Sequence, residues 1–310
     1  MAFVKVDHVG MVVADLSEAQ RVFGDVFGMA VDERRTPLPN GATGHFDNVT
    51  SIAMPIGEMF VEFSRPNDTN SDAAKFLAER GGRGGMHHVT LASTDIANDV
   101  KMLVDRGLKL KVGWDGTSQV LFDPSTTYGI VVGIAPYVDY SPHPAYRGDG
   151  LFVGMGHIGL AARATEEARH FWGDIVGLYQ NHRRTRGDGP VREERAPDAM
   201  GPDDPVSIIE FDIGSTVIEI SVPPNDQTGT GRYVAQRATL GMAYHHICPW
   251  APDVHEAIDR AKANGVQQIG GIPPRERTRR ATGWIHPRSA LGTLLEIWNR
   301  PTIEQTQVIT

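Results

Sequence analysis

The chain has 310 residues, of which 40% are hydrophobic and 22% charged, so it is long enough for one large or two medium domains with buried cores. Its formal charge of −8 argues against a nucleic-acid-binding protein, because phosphate contacts require a basic surface. No apolar run approaches the roughly 18 residues of a membrane span, and Asp7 and His8 interrupt the region where a signal peptide needs its apolar core. We therefore expect a cytoplasmic protein that binds a small molecule and contacts neither nucleic acid nor membrane.

The sequence contains an internal repeat. Residues 8–29 align without a gap with residues 157–178, and residues 87–107 align with residues 245–265. In each segment a histidine opens an apolar strand, an amphipathic helix follows, and a glycine ends that helix. The sequence therefore predicts four copies of one β-α-β-β-β unit, two in each half of the chain.

Helix and strand signals fit this unit. The first helix is predicted from Ser17 to Gly28, and its counterpart in the second half from Glu166 to Gly177. The strands that follow these helices are predicted over residues 49–56, 58–64, 206–213 and 215–222, joined in pairs by turns at Gly57 and Gly214.

A segment with the composition of a linker separates the two halves. Residues 136–150, PYVDYSPHPAYRGDG, are rich in proline, glycine and polar side chains. We predict a linker there, with an N-terminal domain over residues 1–135 and a C-terminal domain over residues 151–310. The expected fold class is α+β, with the four β-α-β-β-β units forming two half-barrel domains.

Strand parity predicts which polar side chains share a face, because successive residues of a strand point to opposite sides. His157 lies opposite its apolar neighbours, and the same holds for Glu219, His246 and Glu296. If the helices cover the outside of a half-barrel, two imidazoles and two carboxylates meet on its concave face. A divalent cation would offset the cost of burying two carboxylates, which is several kcal/mol each. Such donors suit iron(II), zinc, cobalt, nickel or manganese.

Three neighbouring residues are weighed against these donors. The only cysteine of the chain, Cys248, shares the face of His246, although a lone cysteine on a strand is usually a small buried thiol. His87 and His245 each precede a histidine of the repeat. Parity directs them to the opposite face, where we expect core or edge histidines rather than ligands.

The quoted segments resemble a known family. SDAAKFLAERGGRGGMHHVTLASTDI in the first half, and YHHICPW and WIHPRSALGTLLEIW in the second, are similar to methylmalonyl-CoA epimerase, a member of the vicinal oxygen chelate superfamily. That superfamily also includes glyoxalase I and the type I extradiol dioxygenases. The resemblance covers nearly the whole chain and implies a divalent metal bound by His157, Glu219, His246 and Glu296.

The first half offers an incomplete version of this ligand set. His8, Glu62 and His88 occupy matching positions, but the alignment of DPSTTYGIVVGI with HPRSALGTLLEI puts Gly133 where the second half has Glu296. We expect the N-terminal domain to be a degenerate, mainly structural copy, with a weaker three-ligand site through these residues left open. A silent first domain before a metal-bearing second one is also the layout of the type I extradiol dioxygenases.

Two reaction classes follow from the resemblance. The first is proton transfer of the epimerase, isomerase or glyoxalase type on a small bidentate oxygen substrate, through a metal-stabilised enolate. A fourth ligand, Glu219, favours it. The alternative is an iron(II)-dependent extradiol dioxygenase that cleaves a catecholic ring and needs only His157, His246 and Glu296. A third, non-enzymatic hypothesis is a metal-free ligand-binding protein, against which the complete ligand set in the second half counts.

The catalytic base and the substrate are less sharply indicated. Asp203 and Glu210 are the candidates for a general base, with a solvated turn as the ordinary explanation of Asp203. Two arginine-rich loops would suit an anionic substrate such as a CoA thioester or a carboxylate, although they also fit an exposed loop. Their arginines are Arg183, Arg184, Arg186, Arg192, Arg195, Arg275, Arg277, Arg279 and Arg280. A homodimer is left open.

Overall fold

The computed structural model describes residues 3–139, 141, 143–146, 150–181, 204–272 and 282–299. Each half of the chain forms one curled, mixed β-sheet with helices packed on it, which confirms the predicted α+β class with two half-barrels. Within the described ranges, no helix is both long and apolar enough to cross a membrane. The boundaries at 1–135, 136–150 and 151–310 stay a prediction.

The first sheet has seven strands in the order β2-β3-β4-β1-β5-β7-β6. Its central strand β1 pairs parallel with β4 and antiparallel with β5, so the sheet joins the first two repeat units side by side. The strands are β1 (Phe3–Val12), β2 (Ala42–Thr43), β3 (Val49–Ile56), β4 (Met59–Pro66), β5 (Gly85–Ser93), β6 (Val120–Leu121) and β7 (Val131–Pro136).

The second sheet has eight strands in the order β13-β14-β15-β12-β8-β11-β10-β9 and repeats the topology of the first. Here β8 is central, parallel to β11 and antiparallel to β12, while β12 is parallel to β15. The strands are β8 (Gly154–Ala162), β9 (Tyr179–Gln180), β10 (Ser207–Ile213), β11 (Thr216–Val222), β12 (Met242–Ala251), β13 (Gln268–Ile269), β14 (Thr282–Ile285) and β15 (Leu294–Asn299).

The two helices whose bounds the sequence predicts lie at the predicted places, with one local difference. The first begins at Leu16, because the Asp15 carboxylate accepts a hydrogen bond from the Ser17 amide, and after one α-turn it widens into a π-helix over Gln20–Val26. Gly28, with φ of 74°, follows its end. The α-helices are α1 (Leu16–Ala19), α2 (Asp72–Glu79), α3 (Ile96–Asp105), α4 (Thr165–Ala168), α5 (Gly229–Arg237) and α6 (Val254–Ala263). A second π-helix, Arg169–Ile175, continues α4.

One continuous apolar core fixes the faces of both sheets. Ile158 and Leu160 of β8 are fully buried in it beside Phe171 and Trp172 of the second π-helix, so the helices cover the side opposite His157. The halves also meet directly. The hydroxyl of Tyr244 in β12 donates a hydrogen bond to a backbone carbonyl of the first half, 2.7 Å away, and accepts one from a backbone amide of β5.

Candidate metal centre

Four adjacent strands of the second sheet present the four predicted donors to its concave face. His157 lies on β8, Glu219 on β11, His246 on β12 and Glu296 on β15, and all four side chains are buried. The strands are neighbours in the order β11-β8-β12-β15, so the curl of the sheet brings their donors together. The geometry thus agrees with the convergence that strand parity predicted.

Three donor atoms form a compact triangle. His157 Nε2 lies 2.8 Å from His246 Nε2 and 3.0 Å from Glu296 Oε2, and His246 Nε2 lies 3.3 Å from Glu296 Oε2. Two ligand atoms bound at right angles to one transition ion, each about 2.1 Å from it, are about 3.0 Å apart. The triangle therefore fits one face of an octahedral ion.

Glu219 is close to this triangle but stands further out. Its Oε1 lies 3.8 Å from His157 Nε2 and 3.9 Å from His246 Nε2. Both distances exceed the edge of about 3.0 Å expected for right-angled ligands, so direct ligation requires a small movement of the Glu219 side chain. The four predicted residues are thus brought together, three of them at ligating distances from one another.

The electrostatics of the cluster reflect two carboxylates beside two imidazoles. Burial opposes the charged form of His157, but Glu219 and Glu296 outweigh it and raise the pKa of His157 to about 9. Burial likewise opposes the charged form of Glu296, while hydrogen bonds from His157 and His246 hold its pKa well below the usual range. A proton on His157 balances part of this negative charge when no cation does, and a metal must displace that proton.

A glycine makes room for the second imidazole. His246 pairs with Gly159 across the β12–β8 ladder, and a Cβ built on Gly159 would lie 2.0 Å from His246 Cε1. No real side chain tolerates that distance, so only glycine allows the ring to lie flat across β8. The first half repeats this contact with Gly10, whose added Cβ would lie 1.9 Å from His88 Cε1. Sequence reasoning missed both glycines, although each stands two residues after a predicted ligand.

The predicted facing of His87 and His245 is wrong, because each sits in a β-bulge. The register of β12 against β8 shifts between Tyr244 and His246, which leaves one extra residue on β12. His245 Nδ1 consequently lies 3.0 Å from His246 Nδ1. His87 lies 3.0 Å from its neighbour in the same way. An extra residue breaks the period of two on which the prediction rested. Burial lowers the pKa of each of these bulged histidines to about 3, so both rings are neutral.

Two half-buried tryptophans and one cysteine border the cluster. Trp298 Nε1 donates a 2.6 Å hydrogen bond to Glu296 Oε1, and its ring meets His157 edge-on with 5.2 Å between the centroids. Trp284 faces Glu296 across the β14–β15 ladder, and its ring centroid lies 5.6 Å from that of His246. Cys248 is buried on the same face, and burial raises the pKa of its thiol well above the usual value. The spacing of two between Glu296 and Trp298 was the signal that could have identified this support.

Of the two candidates for a catalytic base, the structure describes only Glu210. Glu210 lies directly opposite Glu219 in the β10–β11 ladder, so it shares the concave face, it is buried, and its charge acts on His157. Asp203 lies outside the described residues, as do the predicted arginine-rich loops. Its neighbour Asp204 accepts a 2.6 Å hydrogen bond from the backbone amide of Thr230 and thereby supports the start of α5.

The first half brings three donors together as well. His8 Nε2 lies 3.1 Å from His88 Nε2, and the Glu62 carboxylate completes a group that could hold a cation. The ladder registers place Gly133 level with Glu296, since His88 pairs with Val131 as His246 pairs with Leu294. An added Cβ on Gly133 would lie 2.6 Å from the hydroxyl of Thr90 and 2.7 Å from a methyl of Leu121. The place of the missing carboxylate is therefore filled.

Family models give this architecture a name. Models described as the glyoxalase/bleomycin resistance protein/dioxygenase superfamily match residues 7–120 and residues 154–296, one in each half. The chain belongs to this superfamily. The expected membership in the vicinal oxygen chelate group is thereby confirmed, and this group includes enzymes that bind divalent metals.

Two relatives by sequence are methylmalonyl-CoA epimerases. Mitochondrial methylmalonyl-CoA epimerase from Dictyostelium discoideum is 26% identical over 133 residues, which are 41% of this chain and 75% of the epimerase. The enzyme of the same name from Bos taurus is 28% identical over 133 residues, 41% of this chain and 71% of that protein. Both matches cover only part of the chain.

Solved structures share the fold over nearly its whole length. An engineered variant of 4-hydroxymandelate synthase from Streptomyces coelicolor superposes with a TM-score of 0.68 at 12% identity, covering 100% of this chain and 97% of that one. A catechol 2,3-dioxygenase superposes with a TM-score of 0.57 at 16% identity, covering 97% and 89%. At these identities the likeness describes the fold and leaves the reaction open.

Proposed function

We propose that the second half of the chain is a metal-dependent enzyme that transfers a proton next to a carbonyl of a small substrate with two neighbouring oxygens. The observation that carries this proposal is the convergence of Glu219 on the triangle of His157, His246 and Glu296. Four protein donors would leave an octahedral ion two positions, which suits a bidentate substrate.

The donor set fits a divalent transition ion, because neutral imidazole and carboxylate suit iron(II), zinc, cobalt, nickel or manganese. His157, Glu219, His246 and Glu296 would hold it. The bound cation would supply Lewis-acid stabilisation of the negative charge that develops on a substrate oxygen when the neighbouring carbon loses its proton.

The remaining steps belong to side chains of this chain. Glu210 is the group we propose to take up the proton, because it is buried on the concave face beside Glu219. Trp284 and Trp298 flank the cluster and would exclude water from one side of the substrate. An anionic substrate such as a CoA thioester or a carboxylate is consistent with the epimerases that the chain resembles.

Deuterium exchange tests the proposal directly. Metal-loaded protein should introduce deuterium from D2O at the acidic carbon of methylmalonyl-CoA, or of another member of a panel of thioesters and hydroxy-carbonyl compounds, under strictly anaerobic conditions. Glu210→Gln should keep one metal per chain and lose at least about a hundredfold in exchange rate. Asp212→Asn, the same change two residues along β10, should stay within about tenfold. A reversed order would reassign the base, and absence of exchange on the whole panel would overturn the reaction.

One observation favours a second candidate, an iron(II)-dependent extradiol dioxygenase acting on a catechol. Glu219 stands 3.8 Å and 3.9 Å from the imidazoles, while the other three donors already match right-angled ligation. Two histidines and one carboxylate leave room for both substrate and dioxygen. Glu219→Ala separates the candidates: it should weaken metal binding and exchange if Glu219 is a ligand, and leave iron binding and oxygen uptake on catechols nearly unchanged if it is not.

A further inference from the structure

A cavity lies between the two halves, next to the candidate metal centre. Its volume is about 90 Å³, and its walls come from both halves. The first half supplies Arg80 from the end of α2, and the second half supplies Tyr233 of α5, His245 of β12 and Thr293 just before β15. Since His245 Nδ1 lies 3.0 Å from His246 Nδ1, one imidazole separates this cavity from a candidate metal ligand.

Arg80 brings a positive charge to the cavity. Its guanidinium is half-buried, lies 4.1 Å above the ring of Phe76 and interacts electrostatically with the hydroxyl of Tyr233. The Tyr233 hydroxyl in turn donates its proton to the carbonyl of Tyr244. In the described part of the chain Arg80 forms no ion pair, and the neighbouring Glu79 acts on its charge only from a distance. Because a guanidinium carries five N–H donors, several remain for an acceptor in the cavity.

The hydroxyl of Thr293 is a second, independent indication that the cavity holds a ligand. Its side chain is only 3% exposed, and in the described part of the chain its Oγ1 has no hydrogen-bond partner. Buried hydroxyls are nearly always satisfied, because an unmade hydrogen bond carries a free-energy cost. The cavity is the space that this hydroxyl borders. An occupant with oxygen atoms would satisfy Thr293 and the guanidinium together.

We propose that this cavity binds a carboxylate-sized oxyanion, held by Arg80 of the first half and Thr293 of the second. The volume admits a carboxylate or one tetrahedral oxyanion. Arg237 of α5 adds positive charge nearby, since its charge acts on both Arg80 and Tyr233. The N-terminal half thereby contributes a binding group to the second half, although its own donor group lacks a counterpart of Glu296.

Binding of acetate and of phosphate to the metal-free protein tests the site without any activity assay. Calorimetry at low ionic strength should detect one site per chain. Arg80→Met, which keeps the apolar stem, should weaken binding about 10- to 100-fold, as loss of a charge-assisted hydrogen bond does. Arg83→Met is the matched control, because Arg83 is exposed, lies three residues along and does not line the cavity, and its affinity should stay within about threefold of wild type.

Thr293→Val provides a variant that should fold at least as well as wild type. It removes the unsatisfied hydroxyl while keeping the shape, so the anion-free protein should melt at the same temperature or higher, while anion affinity falls about fivefold. Absence of anion binding to the wild-type protein, or equal affinity in wild type, Arg80→Met and Arg83→Met, would overturn the proposal.

The oxyanion could be a free ion or the carboxylate of a substrate, and a second arm distinguishes them. This arm alone rests on the proposed metal site. On metal-loaded protein, 2-oxoglutarate carries a second carboxylate that 2-oxobutyrate lacks. If that group enters the cavity, 2-oxoglutarate should bind at least about tenfold more tightly in wild type and lose this advantage in Arg80→Met. Equal binding of the two compounds, with acetate or phosphate still bound, identifies a free anion.

Discussion

The two half-barrels share the same strand arrangement and differ at the edge of the concave face, here called the cup, on which the histidines of each half lie. Each has an imidazole pair at about the same spacing, 3.1 Å between His8 and His88 and 2.8 Å between His157 and His246, and each rests one ring on a glycine. Only the second adds a carboxylate from its last parallel strand. The fold therefore tolerates loss of the carboxylate, which indicates that the imidazole pair and its glycine belong to the shared architecture, while the last strand is where the two halves differ.

In the first cup a different carboxylate, that of Asp7, contacts one of the two imidazoles. Asp7 Oδ2 accepts a 2.8 Å hydrogen bond from His8 Nδ1, on the side of the ring away from His88. In the second half Gly156 takes the place of Asp7, and the ring of Trp250 lies against it. A carboxylate behind the ring orients it, as outer carboxylates do for metal-bound histidines, whereas a carboxylate in front of the ring can bind the ion itself.

The largest expected contrast between the cups is in activity. His157→Ala should reduce the rate of the proposed reaction at least about a thousandfold, because it removes a donor from the triangle that holds the cation. His8→Ala should stay within about tenfold of wild type. Rates per mole of folded protein, with metal content measured in the same samples, check this. Reversed magnitudes would mean that the first half carries the chemistry.

A smaller contrast concerns the glycines beneath the rings. Gly159→Ala places a methyl where the His246 ring lies, so His246 must leave the triangle, and metal affinity should fall about a hundredfold. Gly10→Ala makes the same change under His88, and the metal affinity of the site in the second half should stay within about threefold of wild type. Competition with a chromogenic chelator measures both. Unchanged affinity in Gly159→Ala would show that His246 does not need its present position to bind metal.

Much of this arrangement could be predicted from the sequence, because the repeat and strand parity are local properties. The period of two placed His157, Glu219, His246 and Glu296 on one face, and the ungapped repeat identified Gly133 as the missing carboxylate. The facing of His245 could not be predicted, since a bulge depends on how β12 pairs with β8 and leaves no mark in the period. The cavity at Arg80 was out of reach for the same reason: its residues come from both halves and meet only through tertiary packing.

The hydrogen bond from the Trp298 indole to Glu296 should have an effect of intermediate size on metal affinity. Trp298→Phe keeps an aromatic ring beside His157 but removes the N–H that donates to Glu296 Oε1. Loss of such an outer hydrogen bond typically costs about tenfold or more in metal affinity, and we expect about tenfold here. Trp250→Phe is the control. In the described part of the chain, Trp250 contacts the Trp298 ring but forms no hydrogen bond with any of the four candidate metal ligands, so this change should alter metal affinity less than threefold. Equal losses in the two variants would assign the effect to packing.

The smallest expected effect concerns the stability of the first cup. Burial opposes the charged form of Asp7, but its hydrogen bond with His8 and the charges of His8 and Arg35 lower its pKa below the usual value. A carboxyl whose folded-state pKa is lowered stabilises the fold fully above its unfolded pKa of about 3.9, and this contribution is lost as the pH falls through the lowered value. Asp7→Asn should therefore lower the free energy of unfolding by about 1 to 2 kcal/mol at pH 7, with the difference from wild type shrinking below about pH 4.

Asp105→Asn is the control. It breaks an exposed helical ion pair and should lower the free energy of unfolding by less than about 0.5 kcal/mol. Urea unfolding from pH 7 to pH 3 measures both variants. A difference for Asp7→Asn that persists unchanged in acid would mean that the side chain acts through packing, and that the first cup does not depend on a charged partner behind its imidazole.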